Sequence, residues 1–199
     1  MPKETFHNLP IEKQDLLFNA CVKEFSSVPY SQASINQIIK HANISRGSFY
    51  QYFNDKWDAY EMMFQRIGQE KLSLLPPPQI HSHFFETMIQ FFDDTMAWLK
   101  LRPDYYQIGL WFDYDNDEMI ERIRGRLKGQ LVVLEQLIIH DQKQNLIDQS
   151  VDPQDLVEMI MDVSKTSLIK AFKSKDYDAM RHIYMSRLNI IKKGVQPHV

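Results

Sequence analysis

The sequence predicts an all-α protein of about nine helices, with a compact N-terminal three-helix unit joined by a fourth helix to a larger bundle. Three observations predict it. Apolar residues recur at helical spacing almost throughout the chain. No sustained period-2 alternation bounded by hairpin turns occurs, so strands are not expected. The 199 residues hold only 6 glycines and 9 prolines, three of the prolines in the run Pro76-Pro77-Pro78, so the breaks are few and sharp.

The first helix is expected over about Pro10–Ser27, with Leu17, Ala20, Cys21 and Phe25 on one face and Pro10 in a first-turn position. Two short apolar-periodic segments follow, Ser34–His41 and Ser45–Tyr52, separated by Ala42-Asn43-Ile44. Asn54, as N-cap, opens a helix that runs to about Leu75. The three prolines end it, because they donate no helical hydrogen bond and hold the preceding residue out of the α region. Then come Ile80–Leu101, stopping before Pro103, and a short Asp104–Phe112 segment. Asn116–Gln144 carries Ile120, Ile123, Leu127, Leu131, Leu134 and Ile138 on one stripe. Asp152–Lys173 opens with an Asp cap and Pro153 in its first turn, and Asp176–Lys193 closes the series.

Composition bounds the function. Hydrophobic residues at 44% and charged residues at 25% describe a globular chain able to bury a core. The lone cysteine, Cys21, has no intramolecular partner, which excludes a disulfide-stapled secreted fold and points to a reducing, cytoplasmic compartment. The longest apolar runs, such as Leu131-Val132-Val133-Leu134, fall far short of the ~20 residues that span a bilayer, so no membrane partner is expected. Residues Met1–Pro10 carry Lys3 and Glu4 and no apolar core, unlike a signal peptide. The net charge of −3 argues against a coat-like nucleic-acid binder, although residues 1–56 carry a net +1 and the remainder −4. No Gly-rich phosphate loop, nucleophile elbow or carboxylate pair with a nearby base is present, so no enzyme, cofactor or catalytic residue is expected. His81-Ser82-His83 with Glu86 lacks metal-site spacing and reads as a helix entry with exposed imidazoles; no metal is expected.

Function concentrates in residues 33–56, ASINQIIKHANISRGSFYQYFNDK. Two short helices joined by a tight turn form a helix-turn-helix, whose second helix can enter the major groove. Asn43 is one of the few non-glycine types that adopt the positive φ such a turn requires. Ile35, Ile38, Ala42, Ile44 and Phe49 supply a small core between the two helices. Ser45 caps the second helix, and its free N–H groups, with Ser48, can face phosphate oxygens. Arg46 projects near that helix start, where a guanidinium reaches guanine O6 and N7. Gly47 removes a side chain where backbone approaches DNA, and Tyr50 and Tyr52 place hydroxyls one turn on. Lys56, a cation in the first turn of the next helix, opposes the helix dipole and is expected to seek an external anion such as a phosphate.

The stretch from about Leu17 to Lys56, a fifth of the chain, resembles the TetR family of one-component transcriptional regulators. Ala20-Cys21 and Phe25, Ser34-Ile35, the block Ala42-Asn43-Ile44-Ser45-Arg46-Gly47-Ser48-Phe49-Tyr50-Gln51-Tyr52-Phe53, and Lys56 carry the resemblance without gaps. Three positions depart from the family pattern. Pro29 stands where a helix-ending glycine is usual, Ala33 replaces a capping threonine and leaves Ser31 or Ser34 to cap, and Asn43 replaces the turn glycine.

The resemblance implies that residues 1–53 bind DNA and residues 54–199 bind an effector and dimerise. It implies DNA contacts from Arg46, Gly47, Ser48, Tyr50, Tyr52 and Lys56, to which Ser34 and Ser45 at the two helix starts are added as candidates. It implies an effector pocket between bundle helices, for which the aromatic and methionine-rich segment offers Phe85, Met88, Phe92, Met96, Tyr106, Trp111 and Phe112. Carboxylates Glu86, Asp93 and Asp94 beside it read as solvated. The last two helices offer Ile160, Ser164, Ser167, Ala171, Ile183, Arg187 and Ile190 either to intrachain packing or, as the resemblance implies, to a two-fold four-helix interface. The expected protein is therefore a homodimeric repressor, read onto a palindromic double-stranded operator and released by a small-molecule effector of unknown identity. The alternative is a helical co-regulator of the same fold that binds protein in place of DNA.

Overall fold

The computed structural model describes residues 1–74, 83–111, 117–174 and 176–197, without the side chains of residues 117–124, 126–128 and 130. Among the described residues there are ten helices and no strand. They are α1 (Glu4–His7), α2 (Ile11–Ser27), α3 (Ile35–Ala42), α4 (Arg46–Tyr52), α5 (Lys56–Leu74), α6 (Phe84–Leu101), α7 (Pro103–Trp111), α8 (Asp117–Lys143), α9 (Pro153–Ser174) and α10 (Tyr177–Gly194). No helix among the described residues is long and apolar enough to cross a membrane. The four-residue α1 is the element that sequence periodicity missed, being too short to show a period.

The chain forms two compact units, one of Met1–Leu74 with Trp98–Glu121, the other of Leu75–Ala97 with Arg122–Val199. In the first unit α2 is the central helix, packed against α3, α5 and α7. Its inward face, Leu17, Phe18, Ala20, Cys21, Val22 and Phe25, is almost fully buried. Phe25 meets Tyr60 of α5 edge-on at 4.9 Å, one of several aromatic contacts that fix the α2–α5 angle. Helix α2 ends without a positive-φ residue: Val28 is extended (φ −145°, ψ 156°), the conformation that the following Pro29 imposes on it. Helix α7 is held to α5 by Tyr105, whose hydroxyl donates to Glu70 at 2.7 Å, under the Arg102 guanidinium 3.6 Å above the ring.

Asp55, not Asn54, caps α5, since the Asp58 N–H donates to the Asp55 carboxylate at 2.9 Å. Asn54 stands one residue further out and donates its backbone and side-chain N–H groups to Asp58. Both residues are good cap types, and only the course of the chain selects between them.

In the second unit the core gathers Phe84, Met88, Phe92, Leu137, Ile138, Ile160, Tyr184 and Leu188. Tyr184 is fully buried and stacks on Phe92 at 3.9 Å. Its hydroxyl donates to the Met88 carbonyl at 3.2 Å and lies 3.2 Å from the Ser164 hydroxyl, so the buried phenol keeps its hydrogen bonds, while burial raises its pKa. Buried Asp141 of α8 accepts from the Phe84 N–H at 2.8 Å and lies 2.9 Å from His83 Nδ1, tying the start of α6 to α8. His83, expected at an exposed helix entry, is half exposed yet ion-paired. The Asp93 and Glu86 carboxylates, expected to be solvated, pair with Arg181 and Lys192.

Candidate nucleic-acid interface

Helices α3 and α4 with their turn are built by local rules. Ser34 caps α3 by accepting from the Asn36 N–H at 3.2 Å, which settles the choice between Ser31 and Ser34. Buried Glu24 of α2 in turn accepts from the Ser34 N–H at 2.8 Å, holding the start of α3. Asn43 ends α3 in the left-handed region (φ 49°, ψ 47°), and the Ile44 N–H closes back on the Ile39 carbonyl at 3.2 Å. Ser45 caps α4 by accepting from the Ser48 N–H at 3.0 Å, and the two serine hydroxyls lie 2.9 Å apart. Ile38, Ala42 and Phe49 are fully buried between the helices, with Ile35 and Ile44 half-buried at the margin. Burying a Phe49-sized side chain contributes roughly 1.5–3 kcal/mol, enough to hold a seven-residue helix that could not stand alone.

The face left outward carries the expected residues. Arg46 is exposed, and its guanidinium donates to Asn36 Oδ1 at 2.9 Å and to the Tyr50 hydroxyl at 3.5 Å. It also lies 5.6 Å from the Tyr50 ring centroid. Tyr50 is exposed and Tyr52 half-buried. A Cβ on Gly47 would meet only Ser45 Oγ at 3.7 Å, an ordinary contact, so the chain's own packing does not require glycine there. That is the pattern expected where an external surface, and not the fold, needs the space.

Lys56 departs from expectation. Its ammonium lies 2.6 Å from the Tyr30 carbonyl, 2.8 Å from that of Ala33 and 3.4 Å from that of Ser31, and 4.4 Å from the Tyr30 ring centroid. The α2–α3 turn of its own chain therefore supplies this cation with the partner that the helix dipole denies it. The turn is fixed by Pro29 and leaves carbonyls pointing to one spot, which sequence spacing does not reveal.

The structure adds residues that the sequence did not single out. Lys3 donates through Nζ to the Tyr50 carbonyl at 2.7 Å and through its backbone N–H to the Tyr52 carbonyl at 2.8 Å. Thr5 donates to the Gln51 carbonyl, and Phe6 packs on Phe53 with ring centroids 5.4 Å apart. The N-terminal segment thus satisfies the carbonyls at the end of α4 that the helix itself leaves open. The only available signal was Phe6, a large apolar residue in an otherwise polar stretch.

Of the expected effector-pocket residues, Phe85, Met88, Phe92 and Met96 are buried in the second unit's core. Tyr106 and Trp111 belong to the first unit, where the Trp111 indole N–H donates to the Ser26 carbonyl at 3.0 Å, and Phe112 lies outside the described residues. Of the expected dimer residues, Ile160, Ser164, Ser167 and Ala171 are buried within the single chain, where α9 packs on α10. Ser164 and Ser167 bond the carbonyls of Ile160 and Val163, and Arg187 donates to Ser167 at 3.3 Å. In the single chain this small-residue stripe packs against α10. Ile183 and Arg187 are half-buried, while Ile190 is 69% exposed.

Comparisons with known proteins bear on the same residues. Residues 17–58 match the family model of bacterial regulatory proteins of the tetR family. No protein of the curated set matches in sequence. Solved structures match over nearly the whole chain. A TetR family transcriptional regulator from Chloroflexus aurantiacus is 26% identical, with both chains covered in full and a TM-score of 0.72. The transcriptional regulator FadR from Bacillus subtilis, solved with stearoyl-CoA, is 19% identical, covering 92% of this chain and 100% of its own at a TM-score of 0.75. The regulatory protein TetR from Rhodobacter sphaeroides is 16% identical, covering 88% and 96%, at 0.65. Residues 17–58 are thus a helix-turn-helix segment of the tetR type, and the fold of the chain is that of TetR-family transcriptional regulators.

Proposed function

We propose that this regulator is a cytoplasmic homodimeric repressor, held on a palindromic operator and released by a small-molecule effector. In this proposal residues 1–53 contact DNA, and residues 54–199 bind the effector and the second subunit. The observation that carries it is the exposed face of α4, where Arg46, Gly47 and Tyr50 stand outward over a fully buried Phe49. A rigid short helix with a guanidinium at its start is suited to base edges in a major groove. Two-fold symmetry supplies the second half-site, since one such helix spans few base pairs.

Release follows from spacing. The Lys56 ammonium fastens the start of α5 to the turn that feeds α3, so a tilt of α5 is passed to the helix-turn-helix and not absorbed by a slack joint. An effector that binds only one α5 position lowers operator affinity by its differential affinity, typically ~1–3 kcal/mol. The aromatic and methionine-rich core of the second unit supports an apolar effector. A protein of the same fold was solved with stearoyl-CoA, so a long-chain acyl thioester is the first ligand to titrate.

The test is fluorescence anisotropy of the full chain on its own upstream region at two salt concentrations, followed by effector titration. A sequence-preferring complex that an acyl thioester dissociates supports the proposal. Failure to prefer any duplex at low salt favours the protein-binding co-regulator. Preference for a duplex with no response to acyl thioesters keeps the regulator and rejects that effector class.

A further inference from the structure

Asn36 sits in the first turn of α3 and is exposed. Its backbone is fixed by the Ser34 cap, and its Oδ1 accepts from Arg46 Nη1 at 2.9 Å across the two helices. Tyr50 completes the surround, with its hydroxyl 3.5 Å from Nη2 and its ring centroid 5.6 Å from the guanidinium carbon. The guanidinium is therefore held in one place from two helices before any DNA arrives, with donors still available. An arginine on a flexible stem loses much rotamer freedom when it meets a base, and one already held loses less. The acceptor is also neutral. A carboxylate in the same position would orient the guanidinium and cancel its charge, whereas an amide oxygen orients it and leaves the charge for a phosphate-lined groove.

We propose that Asn36 is a specificity-determining positioning residue, which acts on DNA through Arg46 by setting where its guanidinium meets the base pair. This rests on the assignment of Arg46 to a base edge, and the experiment separates the two.

The full chain is used to select its preferred duplex from a random-sequence pool, and every single-base variant of that duplex is then competed against it. Arg46→Ala is expected to flatten the preference at one base pair by about tenfold or more. Asn36→Ala is expected to relax the same base pair by about fivefold, leaving the other positions and the melting temperature unchanged. The Asn36→Ala, Arg46→Ala double variant is expected to be no flatter there than Arg46→Ala alone, because Asn36 acts only through the arginine. Asn36→Asp keeps the acceptor and is expected to keep the preference, with weaker overall affinity and a shallower salt dependence. An unchanged profile in Asn36→Ala overturns the proposal. So does a loss at a different base pair that adds to that of Arg46→Ala, which marks a direct contact by Asn36. If Arg46→Ala itself leaves the profile intact, the base-reading assignment fails first, and the positioning role falls with it.

Discussion

Replacing Lys56 by alanine separates two accounts of one cation. As a phosphate contact, Lys56 would contribute to binding and not to folding. The structure instead surrounds its ammonium with the carbonyls of Tyr30, Ala33 and Ser31, the first two at 2.6 and 2.8 Å. Hydrogen bonds to a charged group each contribute ~1.5–3 kcal/mol, and the half-buried position admits some water to the vacated carbonyls, which offsets part of the loss. Taking the two short bonds at the low end, and adding ~0.5–1 kcal/mol for the contact over the Tyr30 ring, gives ~3.5–4 kcal/mol, which the readmitted water lowers to a destabilisation of about 3 kcal/mol. Urea unfolding followed by tryptophan fluorescence measures it, since Trp57 and Trp111 lie in the same unit. The urea midpoint should fall with an unchanged slope. In parallel, the salt slope of DNA binding at a temperature where both proteins are folded should stay near wild type. A variant as stable as wild type whose slope falls by ~0.9, the share of a single phosphate, refutes the reasoning.

Four further outcomes are expected. Phe6→Ala removes a 4%-exposed ring from Phe53 and should destabilise the first unit by ~3 kcal/mol, read as a lower urea midpoint; wild-type stability would show that α1 does not support α4. Ile190→Glu should shift sedimentation from dimer to monomer without lowering the monomer's helicity, because Ile190 is 69% exposed in the single chain; an unchanged dimer places the interface elsewhere. The hydrogen bond and charge of Asp141 raise the His83 pKa above its usual 6.5, so the stability from this pair is complete below that value and lost as the pH climbs through the raised one. Urea midpoints measured from pH 5 to 9 should therefore show a decline that His83→Gln abolishes, and identical profiles would remove the role. Burial, reinforced by the charge of Glu24, pushes the Cys21 thiol well above its ordinary pKa, so it should react with a thiol reagent only at the rate of unfolding; fast modification of the native protein would contradict that burial.

The helix-turn-helix was legible because each of its instructions is local. Ser45 and Ser48 cap a helix from three residues apart, Asn43 supplies a left-handed turn by itself, and Ile38, Ala42 and Phe49 bury at helical spacing. The exposure of Arg46 and Tyr50 follows from the same periodicity, since the residues opposite a buried face must point away. The carbonyl partners of Lys56 were not legible, for the complementary reason. The helix dipole marks what the cation lacks, but the carbonyls that supply it lie 23 to 26 residues earlier in the chain. Asn36 went unnoticed because an exposed asparagine carries no periodic signal until the ten-residue gap to Arg46 is folded shut. The Ser164 and Ser167 stripe shows a third limit. Small residues on a helix announce close approach by a neighbour without saying which neighbour, and here it is α10 of the same chain.

By itself the sequence determined the helical class, the placement of nearly every helix, and the exposed guanidinium on a capped short helix. Those depend on backbone chemistry and spacing within a few residues. Tertiary structure alone decided which cations face outward and which satisfy the chain's own carbonyls, what holds Arg46 in position, and which faces of α9 and α10 remain for a partner. Hydrogen bonds and burial between distant segments depend on where those segments meet, a property of the folded arrangement that no local pattern contains.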